Sequence, residues 1–185
     1  YFFHSAPVIE TLARFEFVVE SKYRVAVMSG PKGVGKSMTL RTMVDRYTSP
    51  AFQFVLLSLF GVEHQEFLIE LLTQLGESRV EARTTPWLWR RLQDRIKLNS
   101  FQRVHTIILL DDASDAEVDV LNAVIRIAQG NTTSPSLVSI VLATDCDRQA
   151  LLGDRLAAAV EELIAEEAGG DGTFTVSVVL NGEVR

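Results

Sequence analysis

Eight consecutive residues, Gly30-Pro31-Lys32-Gly33-Val34-Gly35-Lys36-Ser37, satisfy the pattern G-x-x-x-x-G-K-[ST] at every fixed position. The spacing has a chemical purpose. Glycines let a backbone turn tightly enough for successive N–H groups to converge on one anion. A helix opening near Ser37 adds its positive N-terminal end to the same point. Lys36 could then reach the β and γ phosphates of a nucleotide, and the Ser37 hydroxyl could ligate Mg²⁺. With Met38 next in line, the candidate nucleotide-binding residues run from Gly30 to Met38. A chance match in a chain of this length is roughly one in a hundred or less. The competing reading is a glycine-rich turn that holds no ligand.

A second constellation lies downstream. Val104-His105-Thr106-Ile107-Ile108-Leu109-Leu110 is an apolar run that ends in Asp111-Asp112. An acidic residue at the carboxyl end of a central strand faces the crevice where ligands bind in open α/β sheets. Asp111 is the candidate Mg²⁺ ligand, acting through water. Asp112 stands where many ATPases place a glutamate that activates the attacking water, and is the candidate base despite being one methylene shorter. The pair could instead be an acidic cluster complementing the next helix. The run 137–143 ends in Thr144-Asp145. Thr144 is a candidate sensor of the γ-phosphate or the water, and the alternative is that Thr144, Asp145 or Asp147 caps a helix.

These residues need strands to carry them. Five apolar runs, 23–28, 52–60, 104–110, 137–143 and 174–180, are rich in Val, Ile, Leu and Phe, as strands buried on both faces are. Helical patterns fall between them. One covers 37–47, and another covers 65–75 with Phe67, Leu68, Leu71, Leu72 and Leu75 on one face. A third covers 86–97, with Thr85 as candidate cap and Pro86 in the first turn. Ser114-Asp115-Ala116-Glu117 reads as a capping box opening a helix that Gly130 closes. A last helix is expected over 148–167, stopping at Gly169-Gly170. Residues 131–135 read as a surface loop. Alternating strands and helices predict a three-layer α/β/α sandwich with a five-stranded, mainly parallel sheet.

Composition bounds the rest. The chain has 185 residues, 47% apolar and 23% charged, enough for one domain spanning 1–185 with a sizeable core. No apolar run approaches 18 residues, so no membrane-spanning segment is read, and the first ten residues lack a secretory pattern. The chain opens on Tyr1 rather than Met, which reads as a segment of something longer. The single cysteine, Cys146, excludes an internal disulfide and fits a reducing compartment. His4, His64 and His105 have no metal-ligand spacing, and His105 reads as structural.

Net charge is −6, unevenly spread: residues 79–103 carry seven Lys/Arg against two Asp/Glu, and residues 104–185 carry four against fourteen. An acidic chain with one basic stretch argues against a dedicated nucleic-acid binder. Trp87 and Trp89 among Arg83, Arg90 and Arg91 look superficially like stacking residues amid phosphate contacts. Helical spacing favours one packed and one solvated face instead. Guanine specificity would call for N-K-x-D, whereas Thr144-Asp145-Cys146-Asp147 lacks the Asn and Lys. A small-molecule kinase would call for an arginine-rich lid, and none is evident.

The opening aromatic segment, RVAVMSGPKGVGKSMTLRTMV, IILLDDASDAEVDVLNAVIRIAQ and SIVLATD together resemble the AAA-type ATPases of the general secretion pathway protein A (ExeA-like) family. The resemblance covers most of residues 2–150. It implies ATP and Mg²⁺ at Gly30 to Ser37 and Asp111, and a P-loop ATPase in the cytoplasm or at the cytoplasmic face of the inner membrane. It further implies a protein partner or homo-oligomer in secretion or envelope assembly, with membrane contact only through other segments or partners. Related helper ATPases serve DNA transposition. The family usually has Asp-Glu where this chain has Asp111-Asp112, and the helical lid of AAA proteins is expected to be absent or truncated. A slow or non-hydrolysing ATP-gated binding module is therefore the second expectation. Arg155 reads as a trans arginine finger or as a solvated helix charge.

Overall fold

A computed structural model describes residues 6–20, 23–80, 83–130, 137–145 and 176–179. Its five strands are β1 (Val25–Gly30), β2 (Phe52–Ser58), β3 (His105–Asp111), β4 (Val138–Asp145) and β5 (Val176–Val179). They form one sheet in the order β2-β3-β4-β1-β5, and every pairing is parallel. The helices are α1 (Ala6–Glu20), α2 (Lys36–Arg46), α3 (His64–Gln74), α4 (Thr85–Phe101) and α5 (Val118–Gln129). The expected three-layer sandwich is what the chain forms.

The continuous apolar runs exist because both faces of the sheet are covered. Side chains alternate along a strand. Ile107, Leu109, Val141 and Ala143 accordingly join one core with Leu12 and Phe15 of α1 and Leu40 and Met43 of α2. Ile108, Leu110, Ile140 and Leu142 join the other, with Phe67 and Leu71 of α3, Leu88 and Leu92 of α4, and Val120 and Val124 of α5. All five residues expected on the buried face of α3 are fully buried.

β2 is an edge strand, whose outward N–H and C=O groups need a partner. The Gln74 carboxamide supplies one: its Nε2 donates to the Leu56 carbonyl and its Oε1 accepts from the Leu56 N–H, both at 2.9 Å. Within the sheet, Ser139 near the amino end of β4 donates to the Tyr23 carbonyl at 2.5 Å. Its one hydroxyl hydrogen being spent, His105 Nε2 donates to Ser139 Oγ at 2.9 Å. His105 is buried and structural, as its sequence context suggests.

Several boundaries differ from the sequence reading. α1 has no assigned element in that reading, yet Leu12, Phe15, Val18 and Val19 recur at helical spacing and are buried. The Ser114 capping box does not form. Ala113–Asp115 makes a single 3₁₀ turn, and α5 opens only at Val118 after Glu117. α4 starts at Thr85 itself, with Thr84 in the N-cap position but making no side-chain cap bond, and runs on to Phe101. The loop at 131–135, the helix at 148–167, Cys146, Asp147, Arg155 and Gly169-Gly170 lie outside the described residues.

The core sets a stability test. Phe67 is fully buried, so Phe67→Ala should destabilise the fold by about 3–5 kcal/mol in urea unfolding. Phe101 is 88% exposed, and Phe101→Ala should stay within about 0.5 kcal/mol of the parent.

Candidate functional site

Parallel strands leave their carboxyl ends on one edge of the sheet. The loop Pro31 to Gly35 leaves β1 there and turns directly into α2. Gly33 and Gly35 hold φ of +82° and +98°, a backbone region that side-chain-bearing residues rarely adopt. Gly35 caps α2, and the Thr39 N–H and hydroxyl both bond its carbonyl, at 2.9 and 3.0 Å. Pro31, Lys32, Gly33, Ser37 and Met38 are exposed, while Val34 and Lys36 are partly covered. α2 is anchored at its far end by Tyr47, whose ring lies 5.4 Å from that of Phe15. Burial, then the neighbouring Glu16 carboxylate, pushes the Tyr47 phenol well above its usual range, so it stays neutral.

Lys36 does not project freely. Its ammonium donates to the Gly30 and Pro31 carbonyls at 2.9 Å each and to Asp145 Oδ1 at 2.6 Å. The two side chains are only 10% and 25% exposed. Asp145 is thus part of the site, whereas in sequence it is merely one of three possible caps. The register explains this, because Gly30 pairs with Asp145 across β1 and β4. Thr144 sits one residue earlier, opposite Ser29, and is fully buried with its hydroxyl 3.4 Å from the Asp145 carbonyl oxygen.

Asp111 ends β3 and is 9% exposed. Its Oδ1 accepts the Asp112 N–H at 3.0 Å, and its backbone carbonyl accepts the Leu59 N–H at 2.9 Å. Asp112 is exposed, adopts the left-handed conformation (φ +53°, ψ +37°) and accepts a hydrogen bond from the Ser58 hydroxyl at 2.8 Å. Ser58 was not singled out in sequence, since only its register opposite Asp111 brings it here.

The donor set suits Mg²⁺. Neither Asp111 Oδ2 nor the Ser37 hydroxyl bonds another described residue, and both are hard oxygen donors. No cluster of three or more His, Cys, Asp or Glu side chains stands ready among the described residues. That composition fits a cation held by one carboxylate, one hydroxyl, water and substrate phosphates rather than by an all-protein cage.

The basic stretch divides. The Arg83 guanidinium lies 4.9 Å over the Trp87 ring, and that of Arg126 lies 4.3 Å over Trp89, which is 9% exposed. Arg91 pairs with Glu77 at 2.9 Å, and Arg90 is exposed. Trp89 packs in the core rather than offering a stacking surface. Among the described residues no helix is long and apolar enough to cross a membrane.

A family model described as an AAA domain matches residues 19–152, well over half of the chain. Among solved structures, Cdc6p from Pyrobaculum aerophilum superposes with a TM-score of 0.66 at 17% identity, covering 96% of this chain and 47% of that one. A chain of the Drosophila ORC bound to AT-rich DNA and Cdc6 gives 0.52 at 12% identity, covering 84% and 56%. A chain of the Drosophila ORC bound to poly(dA/dT) DNA and Cdc6 gives 0.56 at 12%, covering 86% and 31%. At such identities the likeness is one of fold, and this chain spans 31% to 56% of the length of these relatives. No curated protein sequence matches it.

The loop's geometry yields a strain test. A Cβ at Gly35 would meet nothing within 4 Å, so the cost of Gly35→Ala is backbone strain alone. That cost should be about 1 kcal/mol, lowering the melting temperature by roughly 2–4 °C in calorimetry.

Proposed function

From the premise that the chain belongs to the AAA domain family, we propose that it binds Mg-ATP and hydrolyses it slowly, coupling nucleotide state to a protein partner in secretion or envelope assembly. The phosphate loop with Lys36 drawn in at the carboxyl edge of β1 carries the reading for ATP. The resemblance of the loop, aspartate and β4 motifs to the general secretion pathway protein A family supports the class of partner.

In this reading the N–H groups of residues 33–38 and the Lys36 ammonium receive the phosphates. Ser37 and Asp111 hold Mg²⁺, which lowers the charge of the polyphosphate. Asp112 is the base that accepts a proton from the attacking water, and Thr144, fully buried with its hydroxyl toward the Asp145 carbonyl, supports the end of β4 rather than touching the γ-phosphate. Slowness follows from Asp112, a short carboxylate engaged by Ser58. The chain also needs no arginine of its own if a partner supplies one, a group worth ~10³–10⁵ in rate where it operates.

A second reading has one observation in its favour. Two of the similar folds belong to ORC assemblies described as bound to DNA. The composition argument against nucleic acid carries less weight beside them, and a DNA-associated ATPase is the alternative. Micromolar binding at physiological salt, with a log–log slope near −0.9 per neutralised phosphate, lost when Arg90 and Arg91 are reversed in charge, would favour it.

Titration with a fluorescent ATP analogue and a phosphate-release assay test the main reading. Lys36→Ala should abolish most binding and, because it leaves the Asp145 carboxylate without its ammonium, lower the melting temperature while cooperative unfolding is kept. Asp111→Asn should weaken the Mg²⁺ dependence. Asp112→Asn should spare binding and lower a turnover already well under ~1 s⁻¹, below the usual enzymatic range. Unchanged nucleotide binding in Lys36→Ala would sink the reading, an unchanged rate in Asp112→Asn would demote Asp112 to a helix-terminal charge, and no phosphate release by the parent chain would leave a binding module.

A further inference from the structure

The three N–H groups of the Lys36 ammonium match three acceptors, the Gly30 and Pro31 carbonyls and the Asp145 carboxylate. No donor remains for a ligand. For Lys36 to contact a phosphate, one acceptor must be given up. The two carbonyls belong to the loop itself and are neutral. Asp145 alone is charged, and its bond is the shortest of the three. It is also held in place: its backbone is in register with Gly30, and its N–H lies 3.4 Å from Ser114 Oγ. With side chains 10% and 25% exposed, the pair is screened less than a surface ion pair.

We propose that Asp145 is the resident counter-anion of Lys36, a positioning residue that occupies the ammonium until a polyphosphate displaces it. Binding is then an exchange of one anion for another rather than an addition. A phosphate group brings more charge and more acceptor oxygens than a carboxylate, so a nucleoside di- or triphosphate wins the exchange. A singly esterified phosphate, lacking groups beyond the first, reaches Lys36 poorly. The displaced carboxylate then stands beside newly arrived negative charge, and the end of β4 feels the nucleotide's presence directly. This role rests on the proposal that the loop binds ATP.

The sign of the effect separates this role from a structural one. If Asp145 merely braced the loop, removing its charge would weaken nucleotide binding. If it competes for Lys36, Asp145→Asn should bind the fluorescent ATP analogue about tenfold more tightly, and Asp145→Glu should restore affinity to near the parent value. Asp145→Ser serves as a second neutral variant should the asparagine fail to fold. A reading independent of nucleotide comes from acetylation of lysine amines followed by mass spectrometry. Lys36 should react slowly relative to the exposed Lys32 in the parent chain and markedly faster in Asp145→Asn. Equal or weaker nucleotide binding by both neutral variants, as folded proteins, would overturn the proposal. If neither parent nor variants bound nucleotide, the ATP reading would fall. The acetylation result would then still decide the pairing, since unchanged Lys36 reactivity in Asp145→Asn overturns it.

Discussion

The parallel pairing of β1 with β4, which sets Gly30 opposite Asp145, is the constraint on which the site depends. Between two layers of helices the sheet interior is dry, and its residues sort by parity into two apolar cores. Unpaired polar side chains there would be costly. The polar residues buried at the amino ends, His105, Thr106 and Ser139, are paired, and at the opposite edge three strands end on ionisable or hydroxyl-bearing residues: β2 at Ser58, β3 at Asp111 and β4 at Asp145. Because all strands are parallel, these ends meet the loop leaving β1. The lysine that opens α2 turns back across that loop, and the first anion within reach is the carboxylate fixed by the β1–β4 register.

Much of this was legible in sequence because the strands are buried on both faces and so read as unbroken apolar runs. The phosphate loop was legible because its glycines have a backbone task that few other residues perform. The α3 face was legible because its leucines and phenylalanine recur at helical spacing. α1 was not, for Phe15, Phe17, Val18 and Val19 belong to strand-favouring types and outweigh the start signal that Ser5 and Pro7 offer. The Ser114 box misled for a tertiary reason: its side-chain oxygen lies toward the Asp145 N–H, 31 positions away, and the chain spends a 3₁₀ turn before α5 begins. Local pattern proposes a cap, but tertiary partners decide whether it forms.

The partners of Lys36 and Asp112 lie beyond any local pattern. Lys36 and Asp145 are separated by 109 positions, and Ser58 and Asp112 by 54. Both contacts exist only when strand register is known to the residue. A slip of one residue would exchange inward and outward side chains. Thr144 and Asp145 show how much turns on that single step. The threonine is fully buried opposite Ser29, while the aspartate next to it meets the lysine. Sequence composition places a polar residue at the end of β4 but does not say which of the two faces the loop.

Asp111 and Asp112 illustrate the same rule with two carboxylates. They are adjacent, yet one is buried and the other exposed. Asp111 turns its Oδ1 onto the following N–H and so helps hold the bend after β3. That bend puts Asp112 in the left-handed region, where aspartate and asparagine are enriched among non-glycine residues. A short carboxylate suits this backbone, and the hydroxyl of Ser58 then fixes where it rests. The departure from an Asp-Glu pair is therefore consistent with local geometry. The residue that fits the left-handed bend is also the residue with the shorter side chain, and the same choice that relaxes the backbone limits how far the carboxylate extends from the end of β3.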